Sequence, residues 1–197
     1  MSIIEKYYGT IEKSELVFEP NEIASRLKTQ RGYTNETIEK CKQLLLDNID
    51  CKYCAVLCEV KISGNNIDFG SFSTESFDLA RNMHDADRCL VFCVTLGLNA
   101  DYLLKRLSVT SMSEHFIADA LSSALVENAA DKAEEIIKGE NRCYTRFSCG
   151  YGDFKIENQS DILSLINAKK MLGINLSKTY LMTPQKTITA VMGIKNN

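Results

Sequence analysis

The chain has little of what several function classes require. Among its 197 residues there are two prolines and two histidines, His84 and His115. So few prolines argue against a long hinge, and the histidines do not pair at metal-ligand spacing. No block of Lys or Arg occurs and the formal net charge is −3, which removes the basis for counterion-release binding to nucleic acid or to an anionic membrane surface. The longest clearly apolar run, Cys89 to Val94, is too short to span a bilayer. The opening Met1-Ser2-Ile3-Ile4-Glu5-Lys6 lacks the basic-then-apolar order of an export signal, so a cytoplasmic protein is expected. Also missing are a GxSxG elbow, a Walker loop, an HExxH helix and paired carboxylates supported by histidine, and Gly64 and Gly70 lie too far apart for a dinucleotide fingerprint. With no nucleophile or acid–base pair of its own, the chain can assist chemistry only by holding a reactive small molecule.

What is present is ordinary globular material. Hydrophobic residues make up 45% and charged residues 25%, enough to bury a core and to exclude a largely disordered chain. The eight cysteines are expected to be reduced and structural, because the chain is not a small exported domain. Cys51-Lys52-Tyr53-Cys54, with Cys58 beyond, has the spacing of half a metal site or a redox pair, but a second half is missing. Cys89 and Cys93 stand an even number apart in an apolar strand and should face the same side.

Pro20-Asn21-Glu22 reads as a helix start, and Thr34 to Asp50 as a helix capped by Thr34 or Asn35. A strand from Ala55 to Ile62 turns at Ser63-Gly64-Asn65-Asn66 into Ile67-Asp68-Phe69. Ser73 or Thr74 should cap a short helix through Met83, and Cys89 to Thr95 reads as a buried central strand. Asn99 or Asp101 starts another helix, and the longest helix runs from Ser113 to Lys138 with Gly139 as its stop. A strand from Tyr144 to Phe147, a helix from Ser160 to Leu172 ended by Gly173, and a last strand from Thr187 to Met192 complete the order. Strands and helices mix without strict βαβ repetition, which favours an α+β fold. The expected division is an N-terminal helical region with the first strand, 1–60, packed on a core of 61–197.

Two constellations carry chemistry. In Arg146-Phe147-Ser148-Cys149-Gly150-Tyr151-Gly152-Asp153 the glycines can take positive φ and admit a ligand to the backbone, while Arg146 offers a planar fork for a carboxylate or phosphate. A plain tight turn is the competing reading. Glu127 and Asp131, one helical step apart beside the apolar stripe, repel each other, and an ammonium or sulfonium ligand would relieve them. Both could instead reach water, or meet a neighbouring Lys.

The eight-residue stretch resembles the Arg-x-Ser-Pro-Gly-Tyr-Gly-Asp signature of the reactivation domain of cobalamin-dependent methionine synthase. Val94-Thr95-Leu96-Gly97 with Asp101, Asp119 to Glu127, and Leu176 to Ala190 resemble further segments of that family, in the same order from about Phe69 almost to the end. The resemblance implies a single domain with a twisted, mainly antiparallel sheet flanked by helices. It also implies binding of S-adenosylmethionine and reductive remethylation of the cobalamin of a partner enzyme, with Arg146 on the methionine carboxylate, Glu127 among the acidic ligands, and the backbone at Ser148, Gly150 and Tyr151 against the nucleoside. The implied partners are the cobalamin-binding domain of methionine synthase, or a related corrinoid protein, and a flavodoxin-type reductant. With no barrel, folate or cobalamin domain in the sequence, the expected role is an accessory one in trans. The alternative is an adaptor on another corrinoid methyltransferase with lost or altered small-molecule binding. Cys149 stands where the family has proline; it leaves φ unlocked and is expected to expose a thiol beside the ligand.

Overall fold

A computed structural model describes residues 3–19, 23, 26–27 and 34–196. The helix start read at Pro20-Asn21-Glu22 lies outside the described residues. The centre of the molecule is a four-stranded sheet of β1 (Ile3–Thr10), β2 (Lys52–Glu59), β6 (Arg88–Thr95) and β9 (Thr187–Gly193), in the order β1-β2-β6-β9. Every neighbouring pair is antiparallel, so the fold is α+β with an antiparallel sheet and helices. Strands β3 (Lys61–Ser63), β4 (Asn66–Asp68) and β5 (Ser73–Glu75) form a second, small sheet, and β7 (Asn175–Leu176) pairs with β8 (Met182–Thr183). The helices are α1 (Asn35–Asn48), α2 (Phe77–Asn82), α3 (Leu98–Thr110), α4 (Met112–Lys138), α5 (Gln159–Leu165) and α6 (Ala168–Leu172).

The central sheet is covered on both faces, which is why β2 and β6 read as nearly continuous apolar runs. On one face Leu57, Leu90, Phe92 and Met192 pack under α4, whose Ala129, Ala130 and Ala133 bring the helix backbone close. On the other face Cys54, Val56, Cys58, Cys89, Val91 and Cys93 meet α2, α5 and α6 through Leu79, Met83, Ile162, Ile166 and Ala168. Cys89 and Cys93 therefore do share a side. A third cluster joins α1, α3 and α4 through Cys41, Leu45, Leu103, Leu107, Ile117 and Leu121.

Local signals set several boundaries. Thr34 caps α1 by accepting from the Thr37 N–H at 3.2 Å, and Gly139, at φ 49°, follows the last residue of α4. Five expectations change. The strand expected from Ala55 to Ile62 is two, since β2 ends at Glu59 in the central sheet and β3 begins at Lys61 in the small one. Ser73 and Thr74 do not cap a helix: they lie in β5, paired with β4, and Ser76 caps α2 by accepting from Leu79 N–H at 3.1 Å. The helix expected from Ser160 to Leu172 is two, because Asn167 takes a left-handed φ of 54° between α5 and α6. The strand expected from Tyr144 to Phe147 is reduced to bridges at Cys143–Ile194 and Phe147–Val191. Finally, β1 has no forerunner in the sequence pattern. As an edge strand it is exposed along most of its length, so no buried apolar face is required of it and no alternation is left to read.

Candidate functional site

The two bridges that flank Arg146 explain its position. They leave three residues, Tyr144 to Arg146, opposite only two, Met192 and Gly193, so the segment bulges beside β9. A bulge re-aims side chains, and here the guanidinium meets α4. Arg146 Nη2 donates to Glu127 Oε2 at 3.1 Å, and Nη1 donates to Glu134 Oε2 at 3.4 Å and to Asp131 Oδ1. The helix supplies all three acids because positions 127, 131 and 134 fall on one face. Burial works against the Arg146 charge, but the Asp131 hydrogen bond and the charges of Asp131, Glu127 and Glu134 outweigh it and hold the group above its ordinary pKa. The cation that relieves Glu127 and Asp131 is thus the chain's own Arg146. Lys138 Nζ also lies 3.9 Å from Glu134 Oε1, so three carboxylates against two cations leave the cluster with one negative charge in excess. Sequence reasoning missed Glu134; its seven-residue spacing from Glu127 was the available signal.

The glycine segment is a structured loop. Gly150 and Gly152 take φ values of 89° and 53°, and a Cβ on Gly152 would stand 2.3 Å from Asp78 Oδ2. Gly150 N–H donates to the Phe154 carbonyl at 2.7 Å, and Tyr151 N–H to the Ser148 carbonyl at 3.3 Å. Those two donors are therefore occupied, whereas the Ser148 N–H and the Gly150 carbonyl have no protein partner among the described residues. Phe154, 1% exposed, seats the loop in the core. Cys149 lines the cavity, as expected, but is only 9% exposed rather than open, and burial pushes its thiol pKa up to about 12, which disfavours a reactive thiolate there.

Asp153 is the loop's latch. Its carboxylate accepts from Ser76 Oγ at 2.5 Å, Phe77 N–H at 2.7 Å and Asp78 N–H at 3.1 Å, satisfying the first turn of α2 from outside the helix. The Ser76 hydroxyl, followed by the Phe77 N–H, holds its pKa below the ordinary carboxylate value. A depressed folded pKa gives stability that is present above the unfolded value, about 3.9, and is lost as pH falls through the folded value. Asp153→Asn is accordingly expected to melt at a lower temperature than the native chain at pH 7. The gap should narrow below about pH 4, as read by thermal unfolding across that range.

Loop, bulge and α4 line an open cavity of about 690 Å³, within the usual size of small-molecule sites. Glu127, Glu134 and Arg146 form its charged wall; Phe147, Tyr151, Ile156, Tyr180 and Met182 its apolar one; Gln159, Thr187 and Thr189 add polar atoms. Tyr151 is 67% exposed, and Tyr180 holds a positive φ of 61°. Ser148 lines the cavity with Arg146, Tyr151 and Glu127, while Gly150 sits in the same loop. Gln159, Tyr180 and Thr189 were not singled out from the sequence. They come from separate elements and carry no common spacing.

The other family-like segments pin one another. The hydroxyls of Thr95 and Thr187 lie 2.8 Å apart, and Leu96 N–H donates to the Lys186 carbonyl at 3.0 Å. Gln185 N–H donates to Asp101 Oδ2 at 2.8 Å, and Lys186 Nζ donates to Asp119 Oδ1 and Ser123 Oγ, both at 2.8 Å. Burial raises the Asp101 pKa despite the donors from Gln185 and Lys186. Strand alternation separates the cysteine trio, since Cys51 packs on the α4 face and Cys54 and Cys58 on the opposite one. Burial pushes Cys51 and Cys54 up to about 12. Among the described residues no group of three or more His, Cys, Asp or Glu could hold a metal ion, and no helix is long and apolar enough to cross a membrane.

No protein-family model matches the chain, and no curated protein matches it in sequence. Solved structures do match. A crystal structure of the MetH reactivation domain bound to AdoHcy superposes with a TM-score of 0.69 at 14% sequence identity, covering 96% of this chain and 78% of that one. The chain has the fold of that domain.

Proposed function

We propose that the cavity binds S-adenosylmethionine and that the chain supports reductive remethylation of the cobalamin of a methionine synthase-type partner in trans. One observation carries this reading: the Arg146 guanidinium, paired with three carboxylates of which Glu127 and Glu134 also line the cavity, stands on the cavity wall of a fold that, in the MetH reactivation domain, is seen with AdoHcy. S-adenosylmethionine has an α-carboxylate, an ammonium and a sulfonium, so it is a net cation with one anionic end. A net-negative cluster containing one fork complements that pattern.

Arg146 has five N–H donors, of which three are used by Glu127, Asp131 and Glu134. Nε–H and one Nη2–H remain for the ligand carboxylate. Glu127 and Glu134 accept from the ammonium, and the exposed Tyr151 ring offers its face to the sulfonium. The free Ser148 N–H and Gly150 carbonyl supply backbone contacts to the nucleoside. When bound, S-adenosylmethionine supplies the methyl group; the chain contributes orientation and a site open enough for a corrinoid protein to cover.

Calorimetry tests the reading. S-adenosylmethionine titrated into the chain, alone and with the partner's cobalamin domain, is expected to give saturable heat in at least one mixture. Folded protein that gives none in either overturns it. The prior commitment of Arg146 to its own carboxylates favours a second reading, an adaptor with altered small-molecule binding. That reading predicts heat from the corrinoid domain and none from S-adenosylmethionine.

A further inference from the structure

The register of the central sheet sets two pairs of cysteines face to face. Cys54 lies opposite Cys93 and Cys58 opposite Cys89, all four on the sheet face covered by α2, α5 and α6. Directly opposed residues of antiparallel strands have Cα atoms roughly 4.5–5.5 Å apart, within the roughly 4.4–6.8 Å that a disulfide spans. The two pairs differ in where their sulfurs turn. Cys54 Sγ donates to the Ile166 carbonyl at 3.9 Å, whereas the Cys58 and Cys89 sulfurs lie 3.6 Å apart and share a hydrogen bond. That bond, with Cys89 donating, lowers the Cys58 pKa against the effect of burial and, together with burial, raises that of Cys89. One sulfur is thus suited to become a thiolate and its neighbour keeps the proton. Cys58 is next to last in β2 and stands opposite Ile3, the first residue of the edge strand β1. Both thiols are buried, so a reagent reaches them only when this end of the sheet opens locally.

We propose that Cys58 and Cys89 form an oxidation site, which hydrogen peroxide converts from a dithiol to a cross-strand disulfide. The Cys58 thiolate attacks one peroxide oxygen, the O–O bond breaks, and the departing hydroxide takes up the Cys58 proton as water, leaving Cys58 as a sulfenic acid. The Cys89 sulfur then attacks the Cys58 sulfur, the S–O bond breaks, and hydroxide leaves with the Cys89 proton as a second water. Two thiols lose two electrons and one peroxide gains them. An oxidant near the size of water suits a route that depends on local opening. The new bond joins residues 31 apart in sequence and encloses β3, β4, β5 and α2, so its formation restrains the unfolded chain. The inference is independent of the functional reading, since it uses neither the cavity nor its ligand. The competing account is that both cysteines serve only as small apolar side chains.

Peptide mapping separates the two. The reduced, folded chain is exposed to hydrogen peroxide, then unfolded in excess N-ethylmaleimide, digested and analysed by mass spectrometry. A peptide pair joined through Cys58 and Cys89, two hydrogens lighter than the free peptides, is expected to be the first cross-link to appear. Cys58→Ala is expected to leave Cys89 free to react with the maleimide after the same treatment. Should that variant fail to fold, the map of the native chain decides alone. Cys143 is partly exposed and serves as the internal gauge of dose. Native protein in which Cys58 and Cys89 both remain thiols at peroxide doses that oxidise Cys143 overturns the inference, as does a first cross-link between Cys54 and Cys93. A Cys58–Cys89 link that forms only in denaturant also overturns it, because the folded sheet would then not be what brings the sulfurs together.

Discussion

Arg146→Ala is expected to weaken S-adenosylmethionine binding by about 2 kcal/mol, some thirtyfold, because the ligand carboxylate loses its charge-assisted partner. The direction is the informative part. Removing the guanidinium also leaves Glu127, Asp131 and Glu134 without their shared cation, which makes the wall more negative and more attractive to an ammonium or sulfonium. If Arg146 served only those internal pairs, the variant would bind a net cation as tightly as the native chain, or more tightly. Calorimetry on the two proteins at equal ionic strength separates the cases, and unchanged or stronger binding would remove the carboxylate from Arg146. Glu127→Gln provides the control. It should weaken ammonium recognition yet free one Arg146 donor, so combining it with Arg146→Ala should cost less than the two single effects added together, as expected for groups in one network.

The largest loss of stability is expected from Phe154→Ala, about 3–5 kcal/mol, the usual range for truncating a fully buried Phe. The ring is part of the core beneath α5 and lies 6.4 Å, centroid to centroid, from the ring of Phe147. Its backbone closes the glycine loop at both ends, accepting from Gly150 N–H and donating to the Tyr151 carbonyl at 3.0 Å. Denaturant unfolding should therefore show the full loss, and ligand affinity should fall with it because Tyr151 and Ser148 ride on the same loop. Phe154→Leu keeps most of the buried volume and is expected to cost clearly less. Equal losses for the two variants would mean that the site is not close-packed around the ring.

Helices and turns were legible where their cause is local. Thr34, Gly139 and Gly173 sit where caps and stops belong, and the apolar run from Cys89 to Val94 is a central strand because it is covered on both faces. The failures share a different origin. Ser76 rather than Ser73 or Thr74 begins α2, since Asp153, far along the chain, supplies the hydrogen bonds that fix that turn. Cys149 reads as an exposed thiol in a glycine-rich loop, yet the loop folds inward on Phe154 and buries it. Residue type alone could not show which side of the loop would face the core.

By itself, then, the sequence determined the class of fold, the glycine-rich loop, and a fork and an acid with the right chemistry for a zwitterionic ligand. Each depends on residue type and short spacing, which a linear pattern preserves. Tertiary structure decided which groups meet. The bulge beside β9 turns Arg146 onto α4, adds Glu134 to the cluster, and uses three of the guanidinium donors before any ligand arrives. The sheet sets Thr189 against Gln159, and the first turn of α2 takes Asp153 away from the cavity. These pairings depend on sheet register and on helix packing against the sheet. Both are fixed by burial across the whole chain, so no local stretch of sequence records them.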